Sequence, residues 1–231
     1  MSRMSRSERL RAPDVPDADT VAIPHADADA FMRAMQRRYA CKKFHTGTAL
    51  TEDEISYILE CGRLSPSSFG LEHWHFTAVT DRKAIAALGA ACFGQEAVSS
   101  AALVVIILVR TESAYGPDSA FVRERAERFP GGHPVFRADY SGYWEFLERE
   151  GRVLSWARSQ SYIACANMMT GAAAAGIDSC AIEGYDETGV LETLRADPES
   201  WAVGIVTAFG RLDEEIRPKI RGSISELASR L

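Results

Sequence analysis

The chain of 231 residues carries 26 Lys and Arg against 32 Asp and Glu, for a formal net charge of −6. That length suits one large domain or two small ones with a sizeable core. A composition of 46% hydrophobic and 25% charged residues excludes a mostly disordered, collagenous or coiled-coil chain.

Modest acidity without a long Lys/Arg cluster argues against nucleic acid or an anionic membrane as the main partner. The longest apolar run, residues 101–109, has the length of a strand and falls far short of the ~20 residues of a membrane span. Five cysteines with no C-x-x-C pair make neither a disulfide framework nor a zinc site. The basic residues near Met1 precede no apolar stretch, so no secretory signal is expected, and a cytoplasmic globular protein is.

Residues 1–26 are polar, proline-bearing and aperiodic, which predicts a flexible N-terminal arm before a folded domain over residues 27–231. Asp27 is the expected N-cap of a first helix with Ala30, Phe31, Ala34 and Met35 at helical spacing, closing on Arg37 and Arg38. Thr51-Glu52-Asp53-Glu54 reads as a capping box, backed by Ile55, Ile58 and Leu59, with Gly62 weakening the helix end. Ser65-Pro66-Ser67-Ser68-Phe69-Gly70 is a loop. Residues 74–79 predict a strand, 81–88 a short helix, and 103–109 a strand buried on both faces.

Residues 110–151 are the least regular and rich in aromatics, the signature of a lid, a helical excursion or a binding segment. A long Ala-rich helix is expected over residues 158–175 with Gly176 at its C-terminus. Then follow a short strand (179–182), a helix (187–194), a buried strand (201–209) and a polar tail (211–231), helical toward its end. The interleaving of helices and strands gives an α/β or α+β architecture.

Three polar, turn-rich stretches stand beside these buried elements. Arg37-Arg38-Tyr39-Ala40-Cys41-Lys42-Lys43-Phe44 offers cations that could hold an anion such as phosphate, or a solvated basic turn. The Ser65–Ser68 loop, followed by Trp74-His75-Phe76, offers N–H and O–H donors to a ring ligand, or is simply a loop. Glu183-Gly184-Tyr185-Asp186 is a strand-to-helix turn whose glycine permits close approach to the backbone. No G-x-G-x-x-G follows a strand, so no separate nicotinamide domain is expected. His73 and His75 lie two apart, but no Cys or carboxylate stands at ligand spacing, so no metal is expected. Cys41 and Cys165 are reactive thiols or, more commonly for such residues, small buried side chains.

Together these stretches resemble the FMN-dependent nitroreductase family. Residues 37–44 resemble its Arg-Arg-Ser-x-Arg/Lys-x-Phe element, and Ser65 to Phe76 resembles its Ser-Pro-Ser-Ser loop leading to Pro-Trp-His/Arg-Phe. Glu183 to Asp186 resembles its Glu-Gly-Phe/Tyr-Asp turn, and Pro218-Lys219-Ile220-Arg221 its Pro-Lys-x-Arg tail. All four occur in the family's order. The sequence departs from the pattern at Ala40, usually Ser, at Glu72-His73, where Gln-Pro is common, and at Ala97, where relatives sometimes carry a Lys.

The resemblance implies an α+β fold with a mainly antiparallel sheet of four or five strands flanked by helices. It implies an intertwined homodimer with FMN at the interface. The helix at 158–175 would lie in the dimer core and the tail would embrace the partner.

By the same resemblance, Arg37, Arg38, Tyr39, Ala40, Lys42, Gln95, Glu183, Gly184, Lys219 and Arg221 would bind the cofactor. Lys219, Arg221 and Arg38 would take its phosphate, Lys42 its pyrimidine edge, and Glu183 and Gly184 its N5 edge. Pro66, Ser67 and Ser68 would come from the other subunit. Phe69, Tyr143 and Trp144 are candidates to cover the substrate. The implied activity is NAD(P)H-dependent reduction of nitroaromatics, quinones or similar flat acceptors by ping-pong hydride transfer, with no protein nucleophile or general base. The alternatives are other flavin chemistry on the same fold, or flavin binding without turnover.

Overall fold

The computed structural model describes residues 26–231. The expected arm lies, except for Ala26, outside them. Helix α1 spans Ala26–Arg37, which puts Asp27 inside the first turn rather than at the cap; there, with Asp29, it faces the positive end of the helix. Helix α2 (Glu52–Arg63) begins on the expected capping box, Thr51 and Glu54 each satisfying the other's backbone N–H.

Four strands, β1 (Trp74–Val79), β2 (Leu103–Arg110), β3 (Asp178–Ile182) and β4 (Trp201–Gly210), form one antiparallel sheet in the order β1-β2-β4-β3. The central pair is apolar because it is covered on both sides. Val104, Ile106 and Leu108 point into a core with α3 (Arg82–Ala91), α4 (Glu96–Ser99) and α8 (Glu187–Leu194). Leu103, Val105 and Ile107 point into a second core with α2 and the long helix α7 (Val153–Ala174). This period of two is that of a strand between two helical layers.

Gly62 is the next-to-last residue of α2, at the expected helix end. It is buried against α7, and a Cβ there would lie 2.1 Å from Met168 Cε and 3.0 Å from Phe76 Cζ. Its smallness lets the two helices close. Helix α7 starts at Val153, five residues earlier than its Ala-rich part suggested, and ends as expected before Gly176, which takes φ +77.

Residues 110–151 are a helical excursion. A 3-10 turn (Glu112–Tyr115) leads into α5 (Ala120–Ala126) and α6 (Gly132–Arg149). Tyr115, Phe121, Phe136, Tyr140 and Trp144 pack into a third core with Leu71, Val109, Trp156 and Ala202 at the start of β1. The tail ends in a short helix, α9 (Ile224–Leu227), opened by a Ser223–Glu226 capping box.

Candidate functional site

The candidate residues fall at opposite edges of the sheet, because β1 and β3 are its outer strands. At the β3 edge, Ala40 forms a parallel bridge with Ser179 and Cys41 N–H donates to Ser179 O at 3.0 Å. This pins the segment after α1 along β3. The exposed Lys42 then lies beside the strand, with its Nζ 3.4 Å from Cys180 Sγ and its backbone N–H on Glu214. Arg37 reaches Asp178 at 3.9 Å.

The tail comes back over the end of α1. Lys219 Nζ donates to the carbonyls of Met35 (2.6 Å) and Arg38 (2.8 Å), and Arg217 Nε donates to the hydroxyl of Tyr39 (3.2 Å). Burial, then the neighbouring Arg38 and Arg221, push the Lys219 amine below its ordinary value. Both charged groups acting on Lys219 are therefore cations. Three positive side chains from two distant parts of the chain converge there, a donor set suited to a phosphate dianion.

Two further candidates meet at the turn after β3. Gln95, just before α4, donates from Nε2 to Gly184 O at 2.8 Å and to Cys92 O at 3.0 Å. A Cβ on Gly184 would stand 3.3 Å from that Nε2. Glu183 is exposed; burial, then this neighbouring carboxylate, push the hydroxyl of Tyr162 in α7 up to about 12. The turn is braced from below: Glu187 accepts from Arg158 Nη2 and from Val203 N–H, each at 2.7 Å, and Tyr185 Oη donates to Val203 O at 3.2 Å.

At the β1 edge, Pro66 is exposed, Ser67 Oγ accepts from Glu72 N–H (2.9 Å), and Ser68 N–H donates to Gln160 Oε1 (2.9 Å). Phe69 takes φ +53 and turns its ring to Tyr140 and Tyr143, with centroids 5.1 and 5.5 Å away. Trp144 packs against the same aromatic core, its indole N–H buried and without a partner among the described residues. Thus Phe69 and Tyr143 are brought together, whereas Pro66, Ser67 and Ser68 are not brought to Arg38 and Lys42 within one chain.

Sequence reasoning missed the residues that hold the loop. Gln160 and Asn167, which donates to Ser65 Oγ at 2.8 Å, lie seven apart on one face of α7. Two amides at that spacing in an Ala-rich helix were the available signal.

The two histidines do not act as a pair. His73 is buried, its ring 4.4 Å from that of Trp156 and 5.2 Å from that of Tyr115, while the exposed His75 lies 5.4 Å from Trp201. No group of three or more potential ligands placed to hold a metal occurs among the described residues. Cys41 and Cys165 are buried, and burial pushes their thiols up to about 12 and about 11, which makes them poor nucleophiles. No helix of the described residues is long and apolar enough to cross a membrane.

The family model for the nitroreductase family matches residues 35–211. A protein of Staphylococcus haemolyticus named "Putative NAD(P)H nitroreductase" is 34% identical over 206 residues, 84% of this chain and 93% of its own length. A Bacillus subtilis protein named in the same words is 32% identical over 210 residues, 82% of this chain and 92% of its own. The chain belongs to the nitroreductase family.

Solved structures agree on the fold. A nitroreductase-like protein of Streptococcus mutans superposes with a TM-score of 0.77 at 19% identity, covering 89% of this chain and 100% of its own. A nitroreductase of Exiguobacterium sibiricum, described in complex with FMN, superposes with a TM-score of 0.71 at 19% identity, covering 87% and 97%.

Proposed function

We propose that this chain is a cytoplasmic FMN-dependent NAD(P)H oxidoreductase that works as a homodimer and reduces nitroaromatics, quinones or similar flat acceptors. The observation that carries the reading is the set of cations Arg38, Lys219 and Arg221 where the tail returns over the end of α1, within a chain of this family. Held there by these residues, FMN would supply the hydride chemistry that links NAD(P)H to the acceptor in alternating half-reactions.

The chain's own residues supply binding, orientation and charge. Lys219, Arg221 and Arg38 neutralise the phosphate. Lys42 brings an ammonium to the β3 edge, where it stabilises negative charge developing on a neighbouring ring. Gly184 leaves its backbone open to close approach, and Gln95 fixes that backbone by holding its carbonyl. Arg37, Tyr39 and Ala40 shape the wall, and Glu183 borders the turn. Because Pro66, Ser67 and Ser68 lie at the opposite edge of the sheet, they complete the site from a second copy. Phe69, Tyr143 and Trp144 then bring an aromatic surface to the acceptor side.

The test is a visible spectrum of the purified protein, followed by anaerobic NADH or NADPH. Yellow absorption that bleaches, and recovers with a nitroaromatic or a quinone, is the expected result. A colourless protein that cannot be reconstituted with FMN overturns the reading.

A further inference from the structure

Glu72 lies in the loop between α2 and β1, and its surroundings give it a task. It takes φ +50, and Phe69 and Gly70 in the same loop take φ +53 and +58. Left-handed conformations at two residues with a Cβ persist only when neighbouring structure imposes them.

The restraint comes from residues 110–151. Glu72 carboxylate Oε2 lies 3.4 Å from Arg125 Nη1, in α5, and 3.1 Å from Arg128 Nη1, in the turn that follows. In the same turn, the Phe129 ring sits 2.8 Å from where a Cβ on Gly70 would stand. Glu72 N–H meanwhile donates to Ser67 Oγ at 2.9 Å. One residue thus ties the hydroxyl loop at its own backbone to the helical excursion at its carboxylate. Gln160 and Asn167 close the loop from the α7 side.

We propose that Glu72 is a positioning residue: through Arg125 and Arg128 it fixes the loop that presents Ser67 and Ser68 to the cofactor and Phe69 to the acceptor side. The identity of the ligand rests on the proposed function; the clamp itself does not. The Glu72→Gln change isolates the charge, because it keeps the side-chain size and the backbone N–H to Ser67.

The first measurement is hydrogen exchange on the full chain without added flavin. Amides of residues 67–72 should exchange about three- to tenfold faster in Glu72→Gln, the range for loss of partly exposed ion pairs, with the rest of the sheet unchanged. An Arg125→Gln/Arg128→Gln variant should match it, and adding Glu72→Gln to that variant should change nothing more.

The second measurement is FMN affinity by quenching of flavin fluorescence, where Glu72→Gln should weaken binding by a similar factor and melting temperature should scarcely move. Unchanged loop exchange overturns the proposal, as does a Glu72→Gln effect that persists in full without the two arginines. Faster exchange with wild-type FMN affinity also overturns it, since the loop would then serve no cofactor. If the wild type takes up no FMN, the functional reading falls while the exchange data still decide the clamp.

Discussion

Lys219 Nζ donates to Arg38 O at 2.8 Å and to Met35 O at 2.6 Å, so the C-terminal tail caps the first helix with the same side chain that helps form the cationic cluster. The two tasks separate by mutation. Lys219→Ala leaves carbonyls at the end of α1 without their donor and should cost about 0.5–1.5 kcal/mol of stability. Among the described residues Arg221 donates only to the neighbouring Ile220 carbonyl, and it is exposed, so Arg221→Ala should leave the melting temperature unchanged. Replacing both should weaken FMN binding by about 100-fold or more, the scale of two charge-assisted contacts, while the proposed dimer, measured by analytical ultracentrifugation, should persist. Unchanged FMN retention would refute the phosphate assignment.

Gln95 offers a narrower test. Its amide spans Cys92 O and Gly184 O, and so links the segment before α4 to the turn after β3. Gln95→Ala frees an exposed carbonyl, which water can satisfy, so stability should fall by less than about 1 kcal/mol. FMN affinity should fall about tenfold as the turn loses its fixed position. Gln95→Glu should be worse for affinity than Gln95→Ala, because a carboxylate faces a carbonyl there and adds negative charge. Equal affinities for the two variants would show that Gln95 does not act on the ligand.

These expectations show where the sequence was readable. Element identities follow from local chemistry: the Thr51–Glu54 box, the run of Leu103 to Val109 and the turn residues around Pro66 each specify their own conformation. The candidate cofactor residues could be proposed from sequence because their motifs are contiguous. What stayed hidden depends on partners far apart in the chain. Nothing near Glu72 announces Arg125 and Arg128, and nothing near Lys219 announces the carbonyls of α1. The aromatics of residues 110–151 could mark a lid or a core, and only packing against Leu71 and Trp156 makes most of them core.

Gly204 is a further residue whose meaning is tertiary. In the pairing of β2 with β4 the register passes from Ile107↔Ile205 to Leu108↔Val203, so Gly204 is the extra residue of a bulge. A Cβ there would stand 2.5 Å from Ser161 Oγ of α7 and 2.9 Å from the backbone O of Ile107. The serine could rotate, but the strand carbonyl could not retreat without breaking the sheet. Gly204→Ala should therefore destabilise by about 2–3 kcal/mol, as overpacking in a rigid core does. Gly142→Ala, with nothing within 4 Å of its Cβ, is the control and should be neutral or slightly stabilising. Denaturant midpoints of the two variants decide the matter.

His73 sets the response to acid. It is buried between Tyr115 and Trp156, neither ring nitrogen has a partner among the described residues, and burial pushes its pKa down to about 3. The folded state thus keeps the imidazole neutral where the unfolded chain, titrating near 6.5, takes up a proton. Protons bound only by the unfolded state favour unfolding, so stability falls as pH drops from about 6.5 toward 3. Between pH 7 and pH 5 this one side chain should cost about 2 kcal/mol. The full stability should be present above pH 7. His73→Phe keeps a flat ring among aromatic neighbours and has no proton to take up, so its stability profile should be flatter on the acid side. The measurement is urea unfolding at pH 5 and pH 7: the difference between the two should shrink by about 2 kcal/mol in the variant. An unchanged difference would mean that the buried imidazole is protonated in the fold, with a partner that burial alone does not reveal.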